Sequence, residues 1–300
     1  MPDENHLSTT ARAVLSRLDS SLVSIGHDGR GTGVVIASGK VLTNAHNLRD
    51  RTTLVTFAEG RAEQGSVAGV DGDGDLVVLD VDTASAPAVA WAAQVAETGD
   101  VVFALSRGGL RTRLTYGMVS SVDVAFGGPR GRQLLGGLEH TAPLVRGSSG
   151  GPIVDADGGV LGLNTHRTGR GFYVARPVDA AMRATIDDLV AGKSVTRPRL
   201  GVALAPPEVA AKLRASVGLP ERVGLLVRGV EPGGPAANEG IAEGDLLVAV
   251  GDTPLDSVDA LHTALGAADG SLTLTVVRGT DERTVTVNLE ASTESAAGSD

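Results

Sequence analysis

The sequence is organised as short apolar runs separated by Gly, Asp and Asn, and this rhythm restricts the chain to a mostly β fold from Leu22 onward. The runs are rich in Val, which favours strands. Many short strands joined by turn residues are typical of a barrel or a sandwich and not of βαβ units. The runs span residues 22–26, 33–37, 40–45, 52–57, 75–81, 100–106, 114–122, 151–155 and 159–164.

Composition agrees with a packed β protein and excludes several classes of function. Of 300 residues, 42% are hydrophobic and 2% are aromatic, so the cores must be built from Val, Leu, Ile and Ala. The chain has no Cys, which excludes disulfides and thiolate metal sites. A net charge of -10 argues against a nucleic-acid partner, because phosphate binding needs clustered Lys and Arg. No two histidines have metal-ligand spacing with a carboxylate, so we expect no metal and no cofactor.

Changes of pattern along the chain predict its domain organisation. Residues 1–20 contain one short amphipathic helix, and the apolar spacing over 178–191 predicts a second helix before Gly192. The polar, proline-containing stretch 193–199 reads as a linker. We therefore expect a β domain over 21–192, an α+β domain over 200–290 that ends in a hairpin, and a disordered tail over 291–300.

Three short segments carry the residues of a nucleophilic triad. His46 follows a strand in LTNAHNL, Asp75 heads a strand in DGDGDLVVLDV, and Ser149 lies in a Gly-bounded turn in VRGSSGGPIV. A serine hydroxyl needs an adjacent base, and histidine suits that role because its ordinary pKa of about 6.5 lies near neutral pH. Aspartate then fixes the imidazole tautomer. The order His, Asp, Ser is that of chymotrypsin-type barrels, and the amides of Gly147 and Ser149 are the expected oxyanion-hole donors.

Each residue also has an ordinary interpretation when it is taken alone. The string that contains Asp71, Asp73 and Asp75 suggests a calcium loop. However, Leu76 stands at its sixth position and Asp82 at its twelfth, where an EF-hand has Gly and Glu. His140 and His166 lie close to the serine segment but lack a TNAH-like context. The three segments together, in order and beside strands, favour the catalytic interpretation.

These segments resemble the HtrA/Deg family of serine proteases over about residues 20–290. The matching strings are GTGVVIASGKVLTNAHNL, DGDLVVLDV, GSSGGPIVDADGGVLGLNT and GFYVARPVDAAMRATIDDLVAGKSVTRPRLGV. The resemblance implies a chymotrypsin/trypsin-like double β-barrel over 21–192, followed by an α+β PDZ domain over 200–290. It also implies that Thr165 lies behind the triad, and that Thr165, His166 and Arg167 pair with an extended substrate strand.

The sequence departs from the family pattern close to the triad. Arg146 and Ser148 replace the Pro and Asn of PGNSGG, and Asn47 with Leu48 replaces a common Val-Val. The short loop after Asn164 contains His166, Arg167 and Arg170. These changes leave the triad intact and bear on substrate selectivity, since the family tends to prefer small aliphatic residues before the cut bond.

The second domain resembles the PDZ domains attached to such proteases, through PGGPAANEGIAEGDLLVAVGDTPL. PDZ domains add an extended peptide to a strand edge and receive its C-terminal carboxylate on backbone amides. The resemblance assigns the carboxylate loop to Arg199, Leu200, Gly201 and Val202. Val258, Leu261 and Leu265 share one face of the following helix, and this face either lines the groove or packs the domain core.

The leading hypothesis is a serine endopeptidase that degrades unfolded or damaged proteins through an acyl-enzyme, with a PDZ domain for peptide C-termini. The resemblance implies a homotrimer. A proteolytically silent chaperone or peptide-binding scaffold is the alternative.

The N-terminus has no basic start followed by an apolar run, so we expect no signal peptide and a cytoplasmic location, or the periplasm or cell envelope for a trimmed chain. No run of 18 apolar residues occurs, so we expect no membrane span.

Overall fold

The structure is a computed structural model that describes residues 4–127, 133–169, 171–195 and 198–289. The chain divides into two compact units, Met1–Val195 and Thr196–Asp300. The fold is mostly β, as the sequence predicts. Arg170 and the tail predicted over 291–300 lie outside the described residues.

The first barrel of unit 1 closes with the strand order β1-β2-β3-β6-β5-β4, in which every neighbouring pair is antiparallel. Alternate side chains point inward and fill it with Val, Leu, Ile and one Phe, as the low aromatic content requires. Its strands are β1 (Leu22–Ile25), β2 (Gly31–Ala37), β3 (Lys40–Thr43), β4 (Thr52–Thr56), β5 (Ala62–Asp71) and β6 (Leu76–Asp80).

The second barrel closes with the order β10-β11-β12-β9-β8-β7 and has its own interior of small and branched residues. Its neighbouring strands β11, β12 and β9 set Arg167 opposite Tyr173 and Tyr173 opposite His140. The strands are β7 (Val101–Gly108), β8 (Arg111–Gly127), β9 (Gln133–His140), β10 (Pro152–Val154), β11 (Val160–Gly169) and β12 (Phe172–Pro177).

Two helices complete the hydrophobic core of unit 1. Helix α1 (Glu4–Leu18) spans 15 residues, longer than the short helix expected, because Val14 and Leu18 are buried against residues of both barrels. Helix α2 (Ala180–Val190) buries Met182, Ile186 and Leu189 in the same cluster, and the helix predicted over 178–191 is thus confirmed. No helix among the described residues is both long and apolar enough to cross a bilayer.

Part of the expected linker belongs to unit 1. The Val195 amide donates to the Val70 carbonyl at 2.9 Å, and the Val70 amide donates to the Ser194 hydroxyl at 3.2 Å. Residues 193–195 therefore lie against β5, because their backbone and side-chain polar groups find partners at the end of that strand. The division between the units falls after Val195.

Unit 2 contains a sheet of order β13-β14-β15-β17-β18, with β16 paired to β15. The sheet packs against α5, and β13 lies at its edge. The sequence prediction missed the first helix, α3. The elements are β13 (Val202–Ala205), α3 (Pro207–Ser216), β14 (Leu225–Val230), α4 (Pro235–Asn238), β15 (Leu246–Val250), β16 (Thr253–Pro254), α5 (Val258–Ala267), β17 (Ser271–Arg278) and β18 (Asp281–Asn288).

The first turn of α2 offers a direct test of this architecture. The Asp179 carboxylate accepts the Met182 amide at 2.7 Å, so Asp179→Ala leaves that helix donor without its cap. We predict a loss of about 1 kcal/mol in the free energy of unfolding, measured by urea denaturation. Asp187→Ala, at an exposed position near the other end of the helix, is the matched control and should change stability by less than about 0.5 kcal/mol. Equal stability of wild type and Asp179→Ala would contradict the capping role.

Candidate active site

The Asp75 carboxylate holds His46 by two hydrogen bonds. Asp75 Oδ2 lies 2.7 Å from His46 Nδ1, and Asp75 Oδ1 accepts the His46 amide at 3.0 Å. Thr165 of β11 donates its hydroxyl to Asp75 Oδ2 at 3.0 Å. The carboxylate is buried, whereas the His46 side chain is 43% exposed. This arrangement places a proton on Nδ1 and leaves Nε2 free to act as a base.

The backbone around Asp75 is equally constrained. Asp75 adopts a left-handed conformation with φ of 57°, which is uncommon for a residue other than glycine. Its carbonyl accepts the Ala45 amide at 3.2 Å and the Asn44 side-chain amide at 3.0 Å. Backbone strain of this kind persists when the surroundings fix it, and here it turns the carboxylate toward His46.

Glycine is required on both sides of Ser149. Gly147 has φ of 88°, and a Cβ there would lie 2.6 Å from the Gly29 carbonyl oxygen. Gly150 has φ of 82°, and a Cβ there would lie 2.2 Å from the Thr32 carbonyl oxygen. The amides of Gly147 and Ser149 donate no hydrogen bond within the part of the chain that the structure describes, so both can receive an oxyanion.

Residues of the first barrel hold this serine loop in place. Thr32 donates its hydroxyl to the Gly147 carbonyl at 2.8 Å and its amide to the Ser149 carbonyl at 2.9 Å. The same hydroxyl accepts the Arg107 amide at 3.0 Å. Asn47, which follows His46, donates its side-chain amide to the Ser149 carbonyl at 2.9 Å. Sequence reasoning missed Thr32 entirely and noted Asn47 only as a departure from the family pattern.

The segments that carry Ser149 and His46 are joined through Asn47, which follows His46 and bonds the Ser149 carbonyl. No hydrogen bond joins the Ser149 hydroxyl and the His46 ring in the described residues. Catalytic hydrogen bonds are often long in unliganded enzymes and tighten in the substrate complex. The structure therefore shows the Asp75–His46 contact of the predicted triad, and the pairing of Ser149 with His46 stays a prediction.

A pocket of roughly 290 Å³ opens beside Ser149. The three residues predicted to pair with substrate, Thr165, His166 and Arg167, all line it. The remaining lining residues are Leu144, Val145, Arg146, Ser148, Asn164 and Tyr173.

His140 lies buried behind this pocket, with Nε2 at 2.9 Å from Asn164 Oδ1. Its ring stacks on Tyr173 with centroids 5.8 Å apart. Burial lowers the pKa of His140 to about 4, against the opposing effects of its bond to Asn164 and of nearby Glu139. His140 is therefore a neutral structural residue at neutral pH.

The Asp71 carboxylate has a structural role in the loop that precedes Asp75. Asp71 is buried and accepts the Gly74 amide at 2.8 Å, and Arg176 donates to the Gly74 carbonyl. In the described residues, no group of three or more His, Asp or Glu side chains is arranged to hold a metal ion. These contacts favour a loop-shaping role over the calcium interpretation.

In unit 2, the predicted carboxylate loop turns at Gly201, whose φ is 72°. The amides of Leu200 and Gly201 donate no hydrogen bond within the described ranges, and Arg199 pairs with Glu231 at 2.7 Å. The loop leads into Val202 at the start of edge strand β13. These features suit peptide addition to the sheet.

The helix face predicted to line the PDZ groove is divided between core and surface. Leu261 and Leu265 are buried in the core of this unit, as the core-packing alternative expects, whereas Val258 is partly exposed. That these residues also line a peptide groove stays a prediction.

The two units of the chain match known protein families. A family model for a trypsin-like peptidase domain matches residues 31–163, and one for a PDZ domain matches residues 226–278. The serine endoprotease DegS of Escherichia coli is 30% identical over 84% of this chain and 74% of its own length. The chain belongs to the HtrA/Deg family of trypsin-like serine proteases.

A second curated relative supports this family assignment, and two solved structures share the fold of this chain. A DegP-like periplasmic serine endoprotease of Halomonas elongata is 32% identical over 86% of this chain, which spans 56% of that relative's length. The HtrA-type protease AlgW, solved with a decapeptide, has a TM-score of 0.64 and 22% identity over 93% of this chain and 97% of its own. A serine endoprotease from Yersinia pestis has a TM-score of 0.62 and 24% identity over 93% of this chain and 96% of its own. At this level of identity, the two likenesses concern the fold alone.

Thr32 provides a test of how the serine loop is held. Thr32→Val keeps the shape of the side chain but removes the bond to the Gly147 carbonyl, so the Gly147 amide loses its orientation. We predict that kcat for a peptide substrate falls about 10- to 100-fold, with KM within about twofold. Thr32→Ser, which keeps the hydroxyl, should retain most of the rate. An unchanged kcat in folded Thr32→Val would show that this hydroxyl does not position the loop.

Proposed function

We propose that this chain is a serine endopeptidase that cleaves unfolded or damaged proteins through an acyl-enzyme on Ser149. The observation that carries the proposal is the buried Asp75 carboxylate, which bonds both the ring and the amide of His46 at 2.7 and 3.0 Å. This contact fixes the imidazole tautomer, and among the described residues the amides of Gly147 and Ser149 donate no hydrogen bond. Membership of the HtrA/Deg family supports the same chemistry.

In the first half of the reaction, Ser149 Oγ forms a bond to the carbonyl carbon of the substrate and passes its proton to His46 Nε2. Asp75 stabilises the imidazolium that results. The carbonyl electrons move to the oxygen, which the amides of Gly147 and Ser149 bind. When the intermediate collapses, the carbon–nitrogen bond breaks and His46 Nε2 gives its proton to the leaving amine.

In the second half, water attacks the ester on Ser149, with His46 as the base. The proton that His46 takes from water returns to Ser149 Oγ as the ester bond breaks, and the carboxylic acid product leaves. Substrate binding is expected to draw Ser149 and His46 into hydrogen-bond distance, because no such bond is present among the described residues of the unliganded chain.

The substrate is an extended strand along β11 of unit 1. The pocket beside Ser149 is lined by Thr165, His166 and Arg167 of β11. An unfolded segment can extend along β11 and pair with its backbone, whereas the backbone of a folded substrate is already paired within that substrate. Edge strand β13 and the Gly201 loop bind an apolar C-terminus, which tethers substrate or shifts the protease toward its active arrangement. The family resemblance also leads us to propose a homotrimer.

A proteolytically silent chaperone or scaffold is the second candidate. The observation in its favour is the missing hydrogen bond between Ser149 and His46 in the described residues, together with Ser148 in place of the Asn of PGNSGG. Such a protein would bind unfolded chains equally well with and without the Ser149 hydroxyl.

Casein degradation by wild type and Ser149→Ala, with and without peptides that end in an apolar free carboxylate, tests the proposal. We predict that Ser149→Ala lowers the rate at least about 1,000-fold, because the nucleophile is lost. Peptide should raise the wild-type rate. Ser121→Ala is the matched control, since in the described part of the chain the one hydrogen bond of the Ser121 hydroxyl goes to the adjacent Val122 carbonyl at 3.4 Å.

Two outcomes would count against the protease. Casein binding without cleavage by either form, with or without peptide, would favour the scaffold. Equal cleavage by wild type and Ser149→Ala would mean that another residue, or a contaminating protease, is the nucleophile.

A further inference from the structure

The pocket beside Ser149 is basic in a chain whose net charge is -10. Three of its lining residues, Arg146, His166 and Arg167, are basic, and none of the described residues that line it is Asp or Glu. All three side chains are exposed, and within the described residues none of them forms an ion pair with a carboxylate. The positive charge at this position is thus available to a ligand.

Arg167 is the best-positioned of the three. It is the direct strand partner of Tyr173, so both side chains lie on one face of the sheet. The guanidinium carbon lies 5.2 Å from the centre of the Tyr173 ring, and the guanidinium donates to the phenol oxygen at 3.2 Å. Cation–π contact and this hydrogen bond hold the guanidinium at the pocket.

The residue beneath Arg167 is itself fixed. Tyr173 is 7% exposed, and its other strand partner is His140, whose ring stacks on it. His140 in turn bonds Asn164, which lines the pocket. Arg167, Tyr173 and His140 therefore form a row across β11, β12 and β9, from exposed to buried, that supports the guanidinium from below.

We propose that this pocket binds an acidic side chain, Asp or Glu, of the substrate residue that precedes the cut bond, and that Arg167 selects it. Ser149 lines the same pocket, so a side chain that enters it belongs to the residue whose carbonyl Ser149 attacks. This inference rests on the proposed protease function and names its substrate class.

The chemistry of the pocket favours a carboxylate over an aliphatic group. Hydrogen bonds between guanidinium and carboxylate are charge-assisted and can be bidentate. Among the described residues, the one side-chain hydrogen bond of Arg167 goes to the neutral phenol of Tyr173, so its remaining donors can reach a carboxylate. An aliphatic side chain in the same place would remove water from the guanidinium and give no bond in return. Arg146, three residues before Ser149, adds a second positive charge at the pocket.

Acetylated and amidated peptides that differ only in the residue before the cut bond test this assignment. The amidated end excludes the carboxylate that the PDZ domain would bind. We predict that wild type cleaves the Asp or Glu peptide with kcat/KM at least about 10-fold above the matched Asn, Gln and Val peptides. In Arg167→Gln this preference should fall to within about threefold, and Arg167→Lys should retain part of it. Arg111→Gln, at an exposed arginine on β8, is the control and should keep the full preference.

Binding of the same peptides to Ser149→Ala, measured by fluorescence polarisation, separates the two proposals. Tighter binding of acidic peptides that Arg167→Gln abolishes supports the pocket assignment, even if wild type cleaves neither peptides nor casein and the protease proposal fails. Cleavage of casein and of the Val peptide without an acidic preference overturns the pocket assignment and leaves the protease intact. Equal binding of all peptides to Ser149→Ala also overturns it.

Discussion

The rest of the site depends on the hydrogen bonds of the buried Asp75 carboxylate. The carboxylate receives hydrogen bonds from the His46 amide and the Thr165 hydroxyl, and its Oδ2 lies 2.7 Å from the His46 ring. His46 follows a strand of the first barrel and Thr165 lies on β11 of the second, so one carboxylate links both barrels. A buried carboxylate is tolerated only when its oxygens accept hydrogen bonds. Here the hydrogen bonds that satisfy Asp75 also orient the ring of His46. The left-handed backbone at Asp75 makes this possible by turning the carboxylate toward His46.

A second set of hydrogen bonds between the barrels holds Ser149, the proposed nucleophile. The Ser149 carbonyl accepts from the Thr32 amide and the Asn47 side chain, and Thr32 also bonds the Gly147 carbonyl. The Asn47 side chain thereby ties the segment of the proposed base to the Ser149 backbone, and among the described residues the Ser149 hydroxyl forms no hydrogen bond. The pocket beside Ser149 owes part of its positive charge to Arg167, which Tyr173 and His140 support. The contacts proposed for catalysis therefore differ from those proposed for substrate selectivity. A substitution at Arg167 removes no contact of the Asp75–His46 pair.

Local patterns in the sequence predicted the parts of the structure whose causes are local. Val-rich runs gave β1 and β6, and the apolar spacing before Gly192 gave α2. Strand β5 was missed because it mixes charged, Gly and Ala residues, and only three of its ten residues are buried. Helix α3 was missed because few apolar residues mark its buried face, although Pro207 in its first turn is typical of a helix start. The Asp75–His46 contact could be predicted because each of the two residues has a characteristic flanking motif. Thr32 could not, because its role arises only when folding brings it to Gly147, 115 residues further along the chain.

The rate at which a fluorophosphonate labels Ser149 tests the central claim most directly, because labelling requires an activated serine and no particular peptide. The reacted residue is identified by peptide mass spectrometry, in wild type and in Asp75→Asn. The Asp75–His46 contact predicts a single adduct on Ser149 and labelling about 1,000- to 10,000-fold slower in Asp75→Asn, since the asparagine favours the wrong imidazole tautomer. Equal labelling rates in the two proteins, or an adduct on another residue, would contradict the claim that Asp75 and His46 activate Ser149.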